Sequence, residues 1–384
     1  MPILPPQRHL FDIPDGATYL NCAYMAPLSH AVVAAGRRGL EAKARPWEIH
    51  PRDFFSLADQ ARARFAALLG GSATGNDIAI VPAASYGMAV ACANLPIAPG
   101  QRVVALADEF PSTILSWRER ARQAGADFVL VARPEDDNWT TAVCAAIDER
   151  TAVAALPYLH WFTGAKLDLP TIRNRLRAVG AALVLDLTQS LGAAPFDLDA
   201  VDPDFLVAAC YKWLMGPYSI GFLYVAPRWH HGRPLEHHWF GREASENFSA
   251  LTDYPEGFQP GARRFDVGEP SNFALLPAAV AAIDQILAWG IENIAETSGT
   301  LVDEIVRRAA RLGLTGPPAD RRARHYVGLR GERGLPAGLA ERLADAQVYV
   351  SVRGGQSLRI TPHVYNDRAD VDRLFEVLGS ALAP

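Results

Sequence analysis

The sequence predicts an α/β fold: a mainly parallel sheet covered by helices, followed by a smaller α+β unit. Three observations predict it. From about Pro51, helix-period segments alternate with short apolar runs of strand length, as in successive strand-helix-strand units. Near residue 227 that alternation stops, and a stretch rich in Trp, His, Pro and Gly begins. At 384 residues the chain also exceeds the usual size of one domain.

In order, residues 55–69 carry an amphipathic 3.6-residue period and read as a helix, and 78–81 read as a strand. Helices at 85–95, 114–124, 141–147 and 169–179 then alternate with strands at 103–107, 127–131 and 152–156. Strands at 182–187, 205–208 and 221–225 complete the sheet. Residues 227–265 show little periodicity and read as a long functional loop. Beyond it come helices at 274–287 and 291–310, short strands at 325–329 and 348–352, and a last helix at 369–382. The chain divides on this reading into a large domain, 18–265, and a small domain built from 1–17 and 266–384.

Composition narrows the function. The net charge is −5, and Lys and Arg are scattered, which argues against a nucleic-acid partner. The four cysteines form no CxxC pair and no His stands at metal-ligand spacing, so neither a disulfide framework nor a metal site is expected. No apolar stretch is long enough to span a bilayer and the first residues lack a signal-peptide core, so a cytoplasmic protein is expected.

Ligands of such sheets gather at the carboxyl ends of strands, where Asp186 and the turn Ala83-Ala84-Ser85 fall. Another strand end carries an unusual lysine. In Ala208-Ala209-Cys210-Tyr211-Lys212-Trp213-Leu214-Met215-Gly216-Pro217, a single Lys sits between aromatics after an apolar run, a poor setting for a solvated charge. A snorkelling surface side chain would satisfy the same pattern. Lysine amines form Schiff bases with carbonyl compounds, and pyridoxal phosphate (PLP) exploits this with its ring as electron sink. That ring needs a carboxylate at its nitrogen, and Asp186 is the candidate; alone, it could equally cap a helix. A phosphate would find free N–H groups where Ala83-Ala84-Ser85-Tyr86-Gly87 opens a helix.

Taken together and in this order, these residues resemble the class V aminotransferase family of fold-type I PLP enzymes. That family includes cysteine desulfurases, selenocysteine lyases, kynureninases and isopenicillin N epimerase-like proteins. Asp186, Gln189, Tyr211, Lys212 and Gly216-Pro217 fill its pattern, and the likeness runs from Tyr19-Leu20-Asn21 to Ser357-Leu358-Arg359-Ile360. The resemblance implies a fold-type I architecture, PLP as cofactor, an α-amino acid as substrate and a homodimer with the site at its interface. It also implies roles. Lys212 forms the Schiff base, Asp186 pairs with the ring nitrogen, and Gln189 donates to the phenolic oxygen. Ser85, Tyr86 and Gly87 hold the phosphate, with the Tyr211 hydroxyl added, while Phe110 covers the ring. Arg359 grips the substrate carboxylate through a bidentate fork, Asn21 approaches the same group, and Trp161 lines the pocket. In the segment Arg263 to Asn272, Glu269 replaces the usual Thr, which leaves Ser271 or Asn272 to reach a partner subunit's phosphate.

Two departures weigh against a desulfurase: Phe110 stands where those enzymes carry His, and residues 352–357 contain no Cys for a persulfide. Transamination is the expected reaction. Kynureninase-like hydrolysis, C–S lysis or other elimination, and epimerisation share its first steps and stay open. A PLP-fold binding protein without turnover would be expected to lose the Lys, Asp or Arg, and none is lost. A nucleotide-binding α/β enzyme would need a Gly-rich fingerprint after its first strand, whereas Gly70 to Gly75 follow a helix. The loop 227–265, with His230, His231, His237, His238, Trp239 and Arg242, is expected to shape the substrate pocket.

Overall fold

The computed structural model describes residues 2–382. Its first elements are a two-residue strand β1 (Thr18–Tyr19) and helix α1 (His30–Lys43), whose start is capped by the Ser29 hydroxyl accepting from the Val32 N–H. Helix α2 (Pro51–Leu69) opens on a proline, where no helical hydrogen bond is lost. The alternation then runs β2 (Ile78–Val81), α3 (Ala84–Asn94), β3 (Arg102–Leu106), α4 (Pro111–Ala124), β4 (Asp127–Val131), α5 (Trp139–Ala146) and β5 (Thr151–Pro157). It continues through α6 (Leu169–Val179), β6 (Ala182–Asp186), α7 (Leu198–Val201), β7 (Phe205–Ala209) and β8 (Gly221–Val225). The sequence-predicted strands of this stretch all form, with ends shifted by a residue or two.

Strands β2 to β8 make one seven-stranded sheet in the order β2-β8-β7-β6-β5-β3-β4. Only β8 runs antiparallel to its neighbours. Both faces are buried, which explains the unbroken apolar runs: Leu206 and Ala208 enter one core, and Phe205 and Val207 the other.

The loop after β8 contains three 3-10 turns, at Pro227–Trp229, Phe248–Asp253 and Gly261–Phe265, and no α-helix or named strand. Helices α8 (Leu275–Trp289) and α9 (Ile291–Ala310) come next, bent by 76° at their junction. The chain ends with β9 (Leu314–Thr315), β10 (Val327–Gly331), α10 (Leu339–Asp345), β11 (Val348–Tyr349), β12 (Ser351–Arg353), β13 (Ser357–Ile360) and α11 (Arg368–Ala381). The strand expected at 348–352 is thus two pieces: β11 pairs with β1, and β12 pairs with β13.

A separate core, including Val302, Leu329, Leu343, Leu358 and Leu374, underlies the four-stranded sheet β12-β13-β10-β9. Leu276, Ile283 and Trp289 of α8 instead join the core of the large sheet. Packing therefore argues for a domain division at Gly290, where the helix bends, rather than at residue 265; we propose it there. Among the described residues, no single helix is long and apolar enough to cross a membrane.

Candidate active site

The carboxyl ends of β2, β3, β5, β6 and β7 converge on one cavity of about 260 Å³. Every one of these strand ends supplies lining residues: Ala84 and Ser85 after β2, Glu109 and Phe110 after β3, Trp161 after β5, Asp186 at the end of β6, and Tyr211 and Lys212 after β7. Tyr218 to Ile220, which lead into the reversed strand β8, close the remaining side.

Lys212 is 6 % exposed, and its Nζ lies 5.2 Å from the centre of the Phe110 ring and 5.4 Å from that of Tyr211. Burial first, and the nearby positive charge of Arg359 second, lower its pKa to about 8. About a tenth of the amine is thus neutral at pH 7, far more than for an ordinary lysine, and the neutral form is the nucleophile. The turn after it is held in left-handed backbone at Met215 (φ 53°) and Ser219 (φ 63°), and Asp108, just before Glu109, is left-handed too (φ 56°). Such conformations cost energy, and their grouping around one cavity is what functional sites show.

Asp186 accepts a hydrogen bond from the Thr188 N–H at 2.9 Å. Gln189 is fixed at both ends of its amide, donating to the Ala23 carbonyl at 3.2 Å and accepting from Trp213 Nε1 at 3.1 Å. At the start of α3 the Tyr86 and Gly87 N–H groups turn back to the Ala83 carbonyl, leaving those of Ala84 and Ser85 without a partner among the described residues, as helix starts do. These residues line the cavity, with a dipole that favours an anion.

Two of the residues expected at the phosphate do other work in this chain. The Tyr86 hydroxyl donates to Glu236 at 2.8 Å. Gly87 lies against the sheet, where a Cβ would stand 2.7 Å from Val207 Cγ2, so its small size seats α3. Asn272 is also away from the cavity of its own chain: its side-chain oxygen accepts from the Ala274 and Leu275 N–H groups at the start of α8. Ser271 donates to the Phe54 carbonyl.

Beyond Lys212 the cavity opens into a vestibule of about 940 Å³. Arg359 points into it although it is 1 % exposed. Its guanidinium touches the Trp161 carbonyl and the Ser351 hydroxyl at 3.4 Å each, and Nε has no partner. Ser351 in turn donates to Asn21 at 2.7 Å, which ties Asn21 to the same cluster. Trp161 donates to the Asp108 carbonyl at 2.5 Å and meets Phe110 edge to face, 5.7 Å between ring centres. The segment holding Trp161 is anchored by His160, stacked on Trp139 at 4.8 Å, and by Gly164 (φ 75°), where a Cβ would meet Tyr326 at 2.6 Å.

Glu109 is a site residue that the sequence pattern does not single out. It is buried in the cavity wall, with one oxygen accepting the Phe110 N–H at 2.7 Å and the other unpartnered. Burial pushes its carboxyl up to about 8, so it holds a proton at neutral pH. Its signal is an acid one residue before the cavity-lining Phe110. The 227–265 loop behaves differently from expectation: His237, His238, Trp239 and Arg242 line a separate pocket of their own loop, away from Lys212.

A family model described as aminotransferase class-V matches residues 50–374. The chain is 28 % identical to an uncharacterized aminotransferase, YcbU, of Bacillus subtilis, over 81 % of this chain and 80 % of the relative. It is 30 % identical to a kynureninase of Deinococcus radiodurans, over 78 % of this chain and 73 % of that one. Its fold matches that of a cysteine desulfurase from Thermococcus onnurineus NA1 with a TM-score of 0.84 at 18 % identity, covering 100 % of this chain and 99 % of the other.

Proposed function

The chain belongs to the class V aminotransferase family of PLP enzymes, and from that premise we propose that it is a transaminase acting on an α-amino acid. The observation that carries this is the buried Lys212 amine, its pKa lowered to about 8, in a cavity that also presents Asp186 and a free helix start. The residues present fit the cofactor: an amine, a carboxylate, the Ala84 and Ser85 N–H groups for a phosphate, and Phe110 as a cover. When bound, PLP supplies an aldehyde for the lysine and a ring that accepts the electron pair left by a departing Cα proton.

Lys212 binds the cofactor and moves the proton at the substrate Cα. Asp186 holds the ring nitrogen protonated, Gln189 donates to the phenolic oxygen, and Phe110 keeps water from one face. Arg359 fixes the α-carboxylate with Asn21 and Trp161 beside it, which orients the Cα–H bond. Tyr211 supports the phosphate from the edge of the cavity. A second reading, hydrolytic or eliminative cleavage, is favoured by Glu109, a second proton-holding group in the wall.

We also infer a homodimer. Ser271 and Asn272 line a separate hollow with Phe54 and Trp239, away from Lys212 of their own chain. They would meet a phosphate only across a subunit interface.

Borohydride reduction of the purified holoprotein, followed by peptide mapping, is expected to place a pyridoxyl group on Lys212. Lys212→Ala is expected to abolish the attachment while circular dichroism stays that of the wild type. An adduct mapped to any other lysine removes Lys212 from this role, and an amino-acid panel read for keto acid or ammonia separates transamination from cleavage.

A further inference from the structure

The hairpin that carries Arg359 carries a second arginine on the same face. Strands β12 and β13 pair with Ser351 opposite Arg359 and Arg353 opposite Ser357, so the four side chains alternate onto one side while Val352 and Leu358 turn toward the small-domain core. Arg353 and Arg359 therefore form a diagonal pair, near enough for long side chains to interact. Both guanidinium groups lie against the Trp161 ring, 5.9 and 5.8 Å from its centre. Neither makes an ion pair among the described residues, and Nε of each is buried without a partner.

Two unpaired like charges on one sheet face are unfavourable unless anions meet them. The rest of the vestibule does not supply those anions. Arg133 and Arg330 share a single acid, Asp137, at 2.5 and 3.4 Å. Asp108 is exposed at the rim, and Glu109 is buried deeper, beside Lys212. One substrate carboxylate on Arg359 would leave Arg353 uncompensated.

We propose that the site takes α-amino acids whose side chain ends in a carboxylate, with Arg359 holding the α-carboxylate and Arg353 the distal one. The inference rests on the amino-acid reading of the same cavity. Arg353 is here a specificity-determining residue; the chemistry stays with Lys212.

Calorimetric titration of the holoprotein with glutarate and succinate, against butyrate as a single-carboxylate control, tests this without turnover. The dicarboxylates are expected to bind about tenfold tighter or more, the worth of a charge-assisted hydrogen-bonded pair. Arg353→Gln is expected to bring them down to the butyrate level, and Arg353→Lys to restore part of the difference, with melting temperature read for each variant. Equal binding of glutarate and butyrate by the wild type overturns the proposal, as does an Arg353→Gln variant that weakens both ligands equally. Pyridoxyl mapping on Lys212 in the same preparation separates the two ideas. A labelled Lys212 with no preference for dicarboxylates refutes the acidic substrate alone, whereas an unlabelled Lys212 refutes the cofactor reading.

Discussion

Glu109 and Lys212 titrate in the same range, each moved to about 8 by burial, from opposite directions. Linkage gives the sign for Glu109. An unfolded glutamate releases its proton near pH 4.3, whereas the folded one keeps it to about 8, so Glu109's contribution is fully present below the unfolded value and is lost as pH rises toward 8. In the apoprotein, Glu109→Gln is expected to flatten the decline of melting temperature between pH 6.5 and 8, above the range in which the buried histidines lower stability. An unchanged slope would mean that the carboxyl is solvated and ionised in solution. At this scale Lys212 and Asp186 stand out in the sequence as reactive types at strand ends, and Phe110 and Arg359 only through the family resemblance; all four lie around the one cavity and its vestibule. Glu109 and Arg353 do not stand out, since an acid or an arginine beside a turn is ordinary until burial removes its partners.

For the elements, the alternation of periods located every strand of the large sheet, but it missed α1 and the hairpin β12 and β13. Helix α1 mixes apolar and basic residues and keeps Leu40 exposed, so its period is faint. The hairpin was hidden because Gly354 and Gly355, both left-handed at φ 57° and 64°, interrupt an apolar run. Glycine also sets how α3 lies on the sheet. Gly87→Ala is expected to destabilise the protein by about 1–3 kcal/mol through overpacking against Val207 and Leu223, despite alanine's better helix propensity. Because the shift tilts the first turn of α3, PLP affinity by fluorescence titration is expected to fall as well. Val207→Ala in the same chain should recover both; a Gly87→Ala variant as stable and as tight as wild type would show that the helix can slide without cost.

Across the whole molecule, acid is the exposed flank. His160, His325 and His363 are buried, and burial lowers their pKa values to about 4, 4 and 3. An unfolded histidine protonates near 6.5, so the stability each supplies is present above that value and lost as pH falls toward the folded pKa. The melting temperature is expected to drop between pH 6.5 and 5, and His363→Phe, at a ring with both nitrogens unpartnered, is expected to soften that drop. A wild-type profile flat through this window would contradict the burial of these rings. The division proposed near Gly290 belongs to this scale too: α8 and α9 are both long apolar-faced helices, which sequence cannot assign to one core or the other.

The reversed strand β8 also sets an order of events during synthesis. Strand β2 emerges first of the sheet, yet it reaches the sheet solely through β8, more than a hundred residues later. Until Gly221–Val225 has left the ribosome, β2, the strand that leads into Ala84 and Ser85, has no sheet neighbour, and α3 has only elements such as α4 and β7 to lean on. Such long-range pairing is slow and leaves an apolar strand waiting. Nascent chains halted before β8 should therefore be captured by chaperones and fail to retain PLP, while chains halted after α8 should begin to bind it.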